Sequence, residues 1–245
     1  MPCYQGSRCG QDSRSAGSPA PGVALDERGV TLVCLGRTAG DAVRVLHTLH
    51  LLAPAWAQAP DTHHDWLVEA LREASEQEVR RHRRLVLALP MERCQSGVLE
   101  LPVALDLEAL QAEVQIEAAQ SLGVSTQEVS FDFHMEAETM AQTRRVHWRA
   151  CLRSEVQAWQ RHTRAAGWRL PAIEDQAQAA RRGAQLVRGG VHQLLTQAHR
   201  DWQFSDPVQV DGAANALPDE ALTLLRGISA WAWLCACGAA LRALS

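Results

Sequence analysis

"LVLALPMERCQSGVLELPVALDLEALQAEVQIEAAQSLGVSTQEVSFDFHME" runs from Leu85 to Glu136. The run "LVLAL", stopped by Pro90, is short and wholly apolar, as a strand buried on both faces requires. Ser96–Leu101 reads as a second short strand. Asp106 then caps a helix whose Leu107, Leu110, Val114, Ala118 and Leu122 share one face, while Glu108, Glu113 and Glu117 lie on the other. Gly123 closes it. Ser125 to Glu128 forms a further cap or turn. Val129, Phe131, Phe133 and Met135 alternate with Ser130, Asp132 and His134, the period of a half-buried strand. Strands and helices interleave, so the class is mixed α/β.

"GVALDERGVTLVCL", Gly22–Leu35, holds two apolar runs around Asp26–Gly29, a β-hairpin. Val43, Val45 and Leu49 fit a third strand. Thr62–Asp65 fits a capping box ahead of a helix to about Gln77. Downstream, Val146–Leu152 reads as a strand and Ser154-x-x-Gln157 as a capping box. The helix that follows carries Val156, Trp159 and Ala166 and stops at Gly167. Trp168–Ile173 is a strand, and Asp175 opens an Ala-rich helix to about Val187. Residues 189–216 are weakly patterned, and Pro218 starts a short helix. "ISAWAWLCACGAAL", Ile228–Leu241, is shorter than the ~20 residues of a membrane span, so a buried helix is expected.

A chain of 245 residues has room for a sizeable core. Hydrophobic residues make up 47% and charged residues 21% at a net charge of −4, so no general attraction to nucleic acid follows. All 24 Lys-plus-Arg positions are Arg. A P-loop lysine, a Schiff-base lysine and a Ser-Lys dyad are therefore excluded. The seven cysteines include no CxxC pair, which suits a reducing compartment. Residues 1–21 lack an apolar core, so a disordered tail is expected there rather than a signal peptide.

Candidate chemistry is sparse. His63 and His64 are adjacent on a helix and diverge, which favours a solvated helix start over a metal. Asp132 and His134 share one strand face with Glu136 nearby, yet no nucleophile motif accompanies them. Arg80–Arg84, "RRHRR", has no interleaved aromatics. A solvated loop is favoured there, with contact to anionic head groups open. Trp66, Trp159, Trp231 and Trp233 fall in apolar runs and are assigned to the core.

Several segments in fixed order resemble the PilM proteins of type IV pilus and competence systems. They are Ala88-Leu89-Pro90, Leu101-Pro102, Gln115-Ile116-Glu117-Ala118 and Glu128-Val129-Ser130-Phe131-Asp132-Phe133. Val146–Gly167, Arg169–Val187 and Cys237–Leu244 extend the likeness. The resemblance implies an actin-like, ribonuclease H-like fold related to FtsA, here a short HofM-type variant with most of the second half missing. It divides the chain into a first part of subdomain 1A (22–93), an inserted 1C-like α+β subdomain (94–145) and a second part of 1A (146–190). A reduced remnant of the second half (191–227) and a terminal helix on 1A (228–245) complete it.

In that family the first hairpin reads roughly Gly-Ile-Asp-Ile-Gly-Ser-Ser-Ser-Val-Lys. Here the Asp falls on Ala24, the Gly on Asp26, two Ser on Glu27 and Arg28, and the Lys on Thr31. A phosphate turn works by letting backbone N–H groups approach the anion. Two carboxylates repel it, by about 4 kcal/mol per charge pair at about 4 Å near a surface. The expectation is a degenerate phosphate turn, no cofactor and no catalysis. An actin-like ATPase with a divergent phosphate loop is the alternative, and direct anchoring by the terminal helix a third reading. The resemblance also implies a scaffold at the cytoplasmic face of the inner membrane, holding the N-terminal tail of a PilN-like membrane protein between 1A and 1C. Leu101, Leu110, Val114, Phe131 and Phe133 are the candidate partner-binding residues. Peripheral contact with the membrane and homo-oligomerisation stay open.

Overall fold

The computed structural model describes residues 19–26, 29–38, 42–55, 60–76, 83–136, 142–208, 219–227 and 230–244. Strand β1 (Ala20–Leu25), β2 (Gly29–Thr38) and β3 (Ala42–Leu52) form an antiparallel meander. After α1 (Pro60–Glu76), β4 (Arg84–Leu89) pairs in parallel with β1. Strand β8 (Arg169–Asp175) pairs in parallel with β4, and β9 (Gln203–Ser205) pairs antiparallel with β3. The sheet order is β8-β4-β1-β2-β3-β9.

Alternation along the strands builds two cores. Leu85, Leu87 and Leu89 join Val23, Leu25 and Leu32 against Trp66, Leu67 and Leu71 of α1 and Trp159 of α3 (Arg153–Ala165). Val86 and Ala88 face the other way, with Ala24, Val33 and Leu35, toward α4 (Gln176–Leu186) and α7 (Trp231–Leu244). Helix α7 lies almost on the sheet: a Cβ at Gly22 would stand 2.2 Å from both Ala236 O and Ala240 N. A Cβ at Gly238 would stand 1.7 Å from Ala179 O of α4. The small residues of "CACGAA" thus permit a three-layer contact that larger side chains would hold apart. No helix among the described residues is long and apolar enough to cross a membrane.

Between β4 and α3 a second sheet is inserted. It comprises β5 (Gln95–Pro102), β6 (Val129–Met135) and β7 (Thr143–Leu152) in the order β5-β7-β6. Helix α2 (Leu107–Leu122) covers one face, burying Leu110, Val114 and Ala118 against Val129, Val146 and Trp148. Its ends follow the local sequence: the Ala109 N–H donates to Asp106 Oδ1 at 2.8 Å, and Gly123 takes φ 67°.

Several local expectations are corrected. Helix α1 begins at Pro60, so Thr62 lies inside its first turn and not at its cap. Helix α3 begins at Arg153, directly after the Leu152–Val129 pair ends the ladder, and no side chain caps it. Ser154 is therefore already helical. Ala20 and Pro21, expected in the tail, belong to β1; residues 1–18 lie outside the described residues. The boundary expected at 145/146 falls within β7, whose Thr143–Ala150 pair with β5 and whose Val146–Leu152 pair with β6. The weakly patterned 189–216 segment contains α5 (Val191–Thr196) and β9, and β9 extends the large sheet. Helix α6 (Asp219–Arg226) follows where the Pro218 signal indicates.

Candidate functional site

The face of the small sheet turned away from α2 carries Ser130, Asp132 and His134 from β6, with His147, Arg149 and Cys151 from β7. Across from them stands β8, from Leu170 to Asp175. The cleft between has a volume of 490 Å³. Among the described residues, strand β6 pairs only with β7, and β8 only with β4. Each therefore has one edge without a ladder partner, and both strands line the same cleft. Such edges accept an added extended chain through main-chain hydrogen bonds.

Ion pairs hold the walls. Arg149 Nε lies 2.6 Å from Asp175 Oδ2, an ion pair by distance in which the N–H is not aimed for a hydrogen bond. Asp175 Oδ1 caps α4 by accepting from the Gln178 N–H at 2.8 Å. The buried Glu174 accepts from Arg182 at 2.7 and 2.8 Å and from Arg242 of α7 at 3.2 Å. His134 and His147 stack with ring centroids 4.8 Å apart, and His147 Nε2 meets Glu136 Oε1 at 2.5 Å. Burial, then the second imidazole and Arg149, push the His134 pKa below its ordinary value. The hydrogen bond from His147 holds the Glu136 carboxyl low. Burial raises the Cys94 thiol to about 12 and the Cys151 thiol to about 11, so neither is a ready nucleophile at neutral pH.

The hairpin turn is differently occupied. The Asp26 N–H donates to Gly29 C=O at 3.1 Å, closing the turn. The Leu25 carbonyl accepts from Gln176 Nε2, whose Oε1 in turn accepts from Trp231 Nε1 at 3.2 Å. Ala24 is buried in β1, and Thr31 Oγ1 pairs with His50 Nδ1 at 2.8 Å. Glu27 and Arg28 lie outside the described residues. With its amide engaged and a carboxylate on its side chain, Asp26 does not fit a phosphate group.

Of the candidate partner-binding residues, Leu110 and Val114 are fully within the small core, and Leu101 packs against it. Phe131 and Phe133 also pack on that core while bordering the cleft. The alternate residues of β6, not these, present side chains to the cleft. Asp132 and His134 share that face as their spacing indicates. Arg80–His82 and the side chains of His63 and His64 lie outside the described residues. The Arg83 carbonyl accepts from the Arg169 N–H at 2.8 Å. Arg149, Glu174, Arg182 and Arg242 carried no signal in sequence, since their pairings are non-local. Pro171 did carry one: a proline inside a strand marks an edge.

The family model for the type IV pilus assembly protein PilM matches residues 22–201. The chain belongs to the PilM family. A solved PilM–PilN type IV pilus biogenesis complex superposes with a TM-score of 0.55 at 17% identity, covering 69% of this chain and 53% of that one. The cytoplasmic domain of EpsL, an inner-membrane component of the type II secretion system of Vibrio cholerae, gives 0.48 at 15% identity. It covers 66% of this chain and 59% of that one. The chain thus spans little more than half the length of these structures. No curated protein matches in sequence. The PilM fold is the actin-like α/β frame expected, with the small sheet inserted between β4 and α3.

Proposed function

We propose that this PilM-family chain is a non-catalytic scaffold of a type IV pilus-type assembly, and that it holds the extended N-terminal tail of a PilN-like membrane protein. The observation that carries the reading is the cleft between β6 and β8, where two strands with unpaired edges line one channel. A tail laid along either edge gains main-chain hydrogen bonds, and apolar side chains can seat on Leu170, Pro171 and Ile173 of β8. The partner is taken from the similar PilM–PilN type IV pilus biogenesis complex. The poor fit of Asp26 to phosphate supports the absence of nucleotide chemistry. This assigns the chain to the cytoplasmic face of the inner membrane, attached through its partner.

The test is a fluorescence-anisotropy titration of a labelled PilN-like tail peptide against the full chain. A Kd of about 10 µM, roughly −7 kcal/mol, is expected. Ser130→Arg, which places a long side chain in the cleft, weakens binding at least tenfold. Absence of binding at high micromolar protein contradicts the reading.

A further inference from the structure

The cleft does not end at β8. Gln160, Leu170 and Pro171 line both the cleft and a second, open cavity of 720 Å³, so the two adjoin along β8. That second cavity is bordered by Arg84, Arg164 and Arg169. Arg84 and Arg169 begin neighbouring parallel strands and are register partners, and Arg164 stands in the last turn of α3. All three are exposed. Among the described residues, no carboxylate lies within ion-pair distance of any of their side chains. Inside the cleft the pattern is the opposite: Arg149, Arg182 and Arg242 each have a carboxylate partner. The charge also runs along β8, which starts with Arg169 and ends with Glu174 and Asp175. Among the described residues, a chain of net charge −4 thus gathers three arginines without carboxylate partners beside the cleft.

Guanidinium groups bind phosphate oxygens well because they are planar, permanently charged and weakly hydrated. Three of them around an open mouth suit a flat anionic surface better than a closed phosphate pocket, which would surround its ligand with donors. We propose that Arg84, Arg164 and Arg169 seat this mouth on the anionic phospholipid headgroups of the membrane that carries the partner. The partner's tail then enters the cleft at the Arg169 end of β8 and runs toward Glu174. The inference rests on the tail-binding reading above for its geometry, but the lipid contact is measurable without any partner.

The full chain is co-sedimented with phosphatidylcholine vesicles and with vesicles rich in phosphatidylglycerol, at low and high salt. Partitioning only onto the anionic vesicles, reversed by salt, is expected. Each arginine contributes about fivefold near an anionic surface, so the triple variant R84Q/R164Q/R169Q loses about a hundredfold in partition coefficient. R169Q alone loses about fivefold. A circular-dichroism melt of each variant confirms that it is folded. Equal binding to neutral vesicles, no binding to anionic ones, or an unchanged triple variant overturns the proposal. So does displacement from the vesicles by millimolar inorganic phosphate, which would make the mouth a free-phosphate site. Tail-peptide affinity of the triple variant in solution, expected unchanged, is read separately. Its failure in both wild type and variant counts against tail binding, while the vesicle data alone judge the arginine mouth.

Discussion

Arg149 Nε lies 2.6 Å from Asp175 Oδ2, joining β7 of the inserted sheet to the residue that caps α4 behind the large sheet. One carboxylate thus fixes a helix start and a boundary between two sheets. Asp175→Asn keeps a good cap and removes the ion pair, at a cost of about 1 kcal/mol. Asp175→Ala loses the cap as well and costs about 1 kcal/mol more. Urea unfolding of the two variants, and of each with Arg149→Met, checks the split. If Asn and Ala cost the same, the cap contributes nothing.

Gly238 and Gly22 set how closely α7 lies on its neighbours. A methyl at Gly238 meets the Ala179 carbonyl at 1.7 Å, and backbone cannot swing aside as a side chain can. Gly238→Ala is therefore expected to cost about 2–4 kcal/mol, and Gly22→Ala a similar amount. Thermal melts are the measurement. A drop in midpoint within about one degree, corresponding to a few tenths of a kcal/mol, would show that α7 is not seated this tightly.

His134 gives the fold a dependence on pH. Its folded-state pKa lies below the ordinary 6.5, through burial and then the neighbouring His147 and Arg149. Between the two values the unfolded chain binds more protons, so stability rises with pH across that window and is lost as pH falls from 6.5 toward the folded value. Glu136 acts lower: its depressed carboxyl contributes stability above the ordinary 4.5 that is lost as pH falls through the folded value. His134→Gln should flatten the change in urea midpoint between about pH 7.5 and about pH 5.5. An unchanged slope would remove His134 from the account.

The hairpin bears on nucleotide. With the Asp26 amide bound to Gly29 and a carboxylate in the turn, MgATP at millimolar concentration should move the melting midpoint by less than about one degree. A rise of several degrees would favour the ATPase alternative.

The parts legible in sequence were those whose signals are local. The Asp106 and Asp175 caps, the Gly123 stop, the first hairpin and the alternation of β6 each depend on residues within a few positions. Ser154 shows how such a signal misleads: its capping pattern is intact, but the helix starts two residues sooner, directly after Leu152 pairs with Val129. Strand β9 was illegible because its three residues gain strand character chiefly from β3, about 160 positions earlier, with one further bridge from Phe204 to Val187. The cleft was illegible for the same reason. Phe131 and Phe133 attract attention as large apolar residues, but apolar residues belong to the core beneath α2, and the cleft takes Ser130, Asp132 and His134 instead.

Hydrogen–deuterium exchange of the full chain, with and without a saturating PilN-like tail peptide, tests the cleft most directly. Added protection should concentrate in residues 130–134 of β6 and 170–174 of β8. Protection confined to the outer edge of β5 or to the β1–β2 hairpin, with β6 and β8 unchanged, would contradict the account.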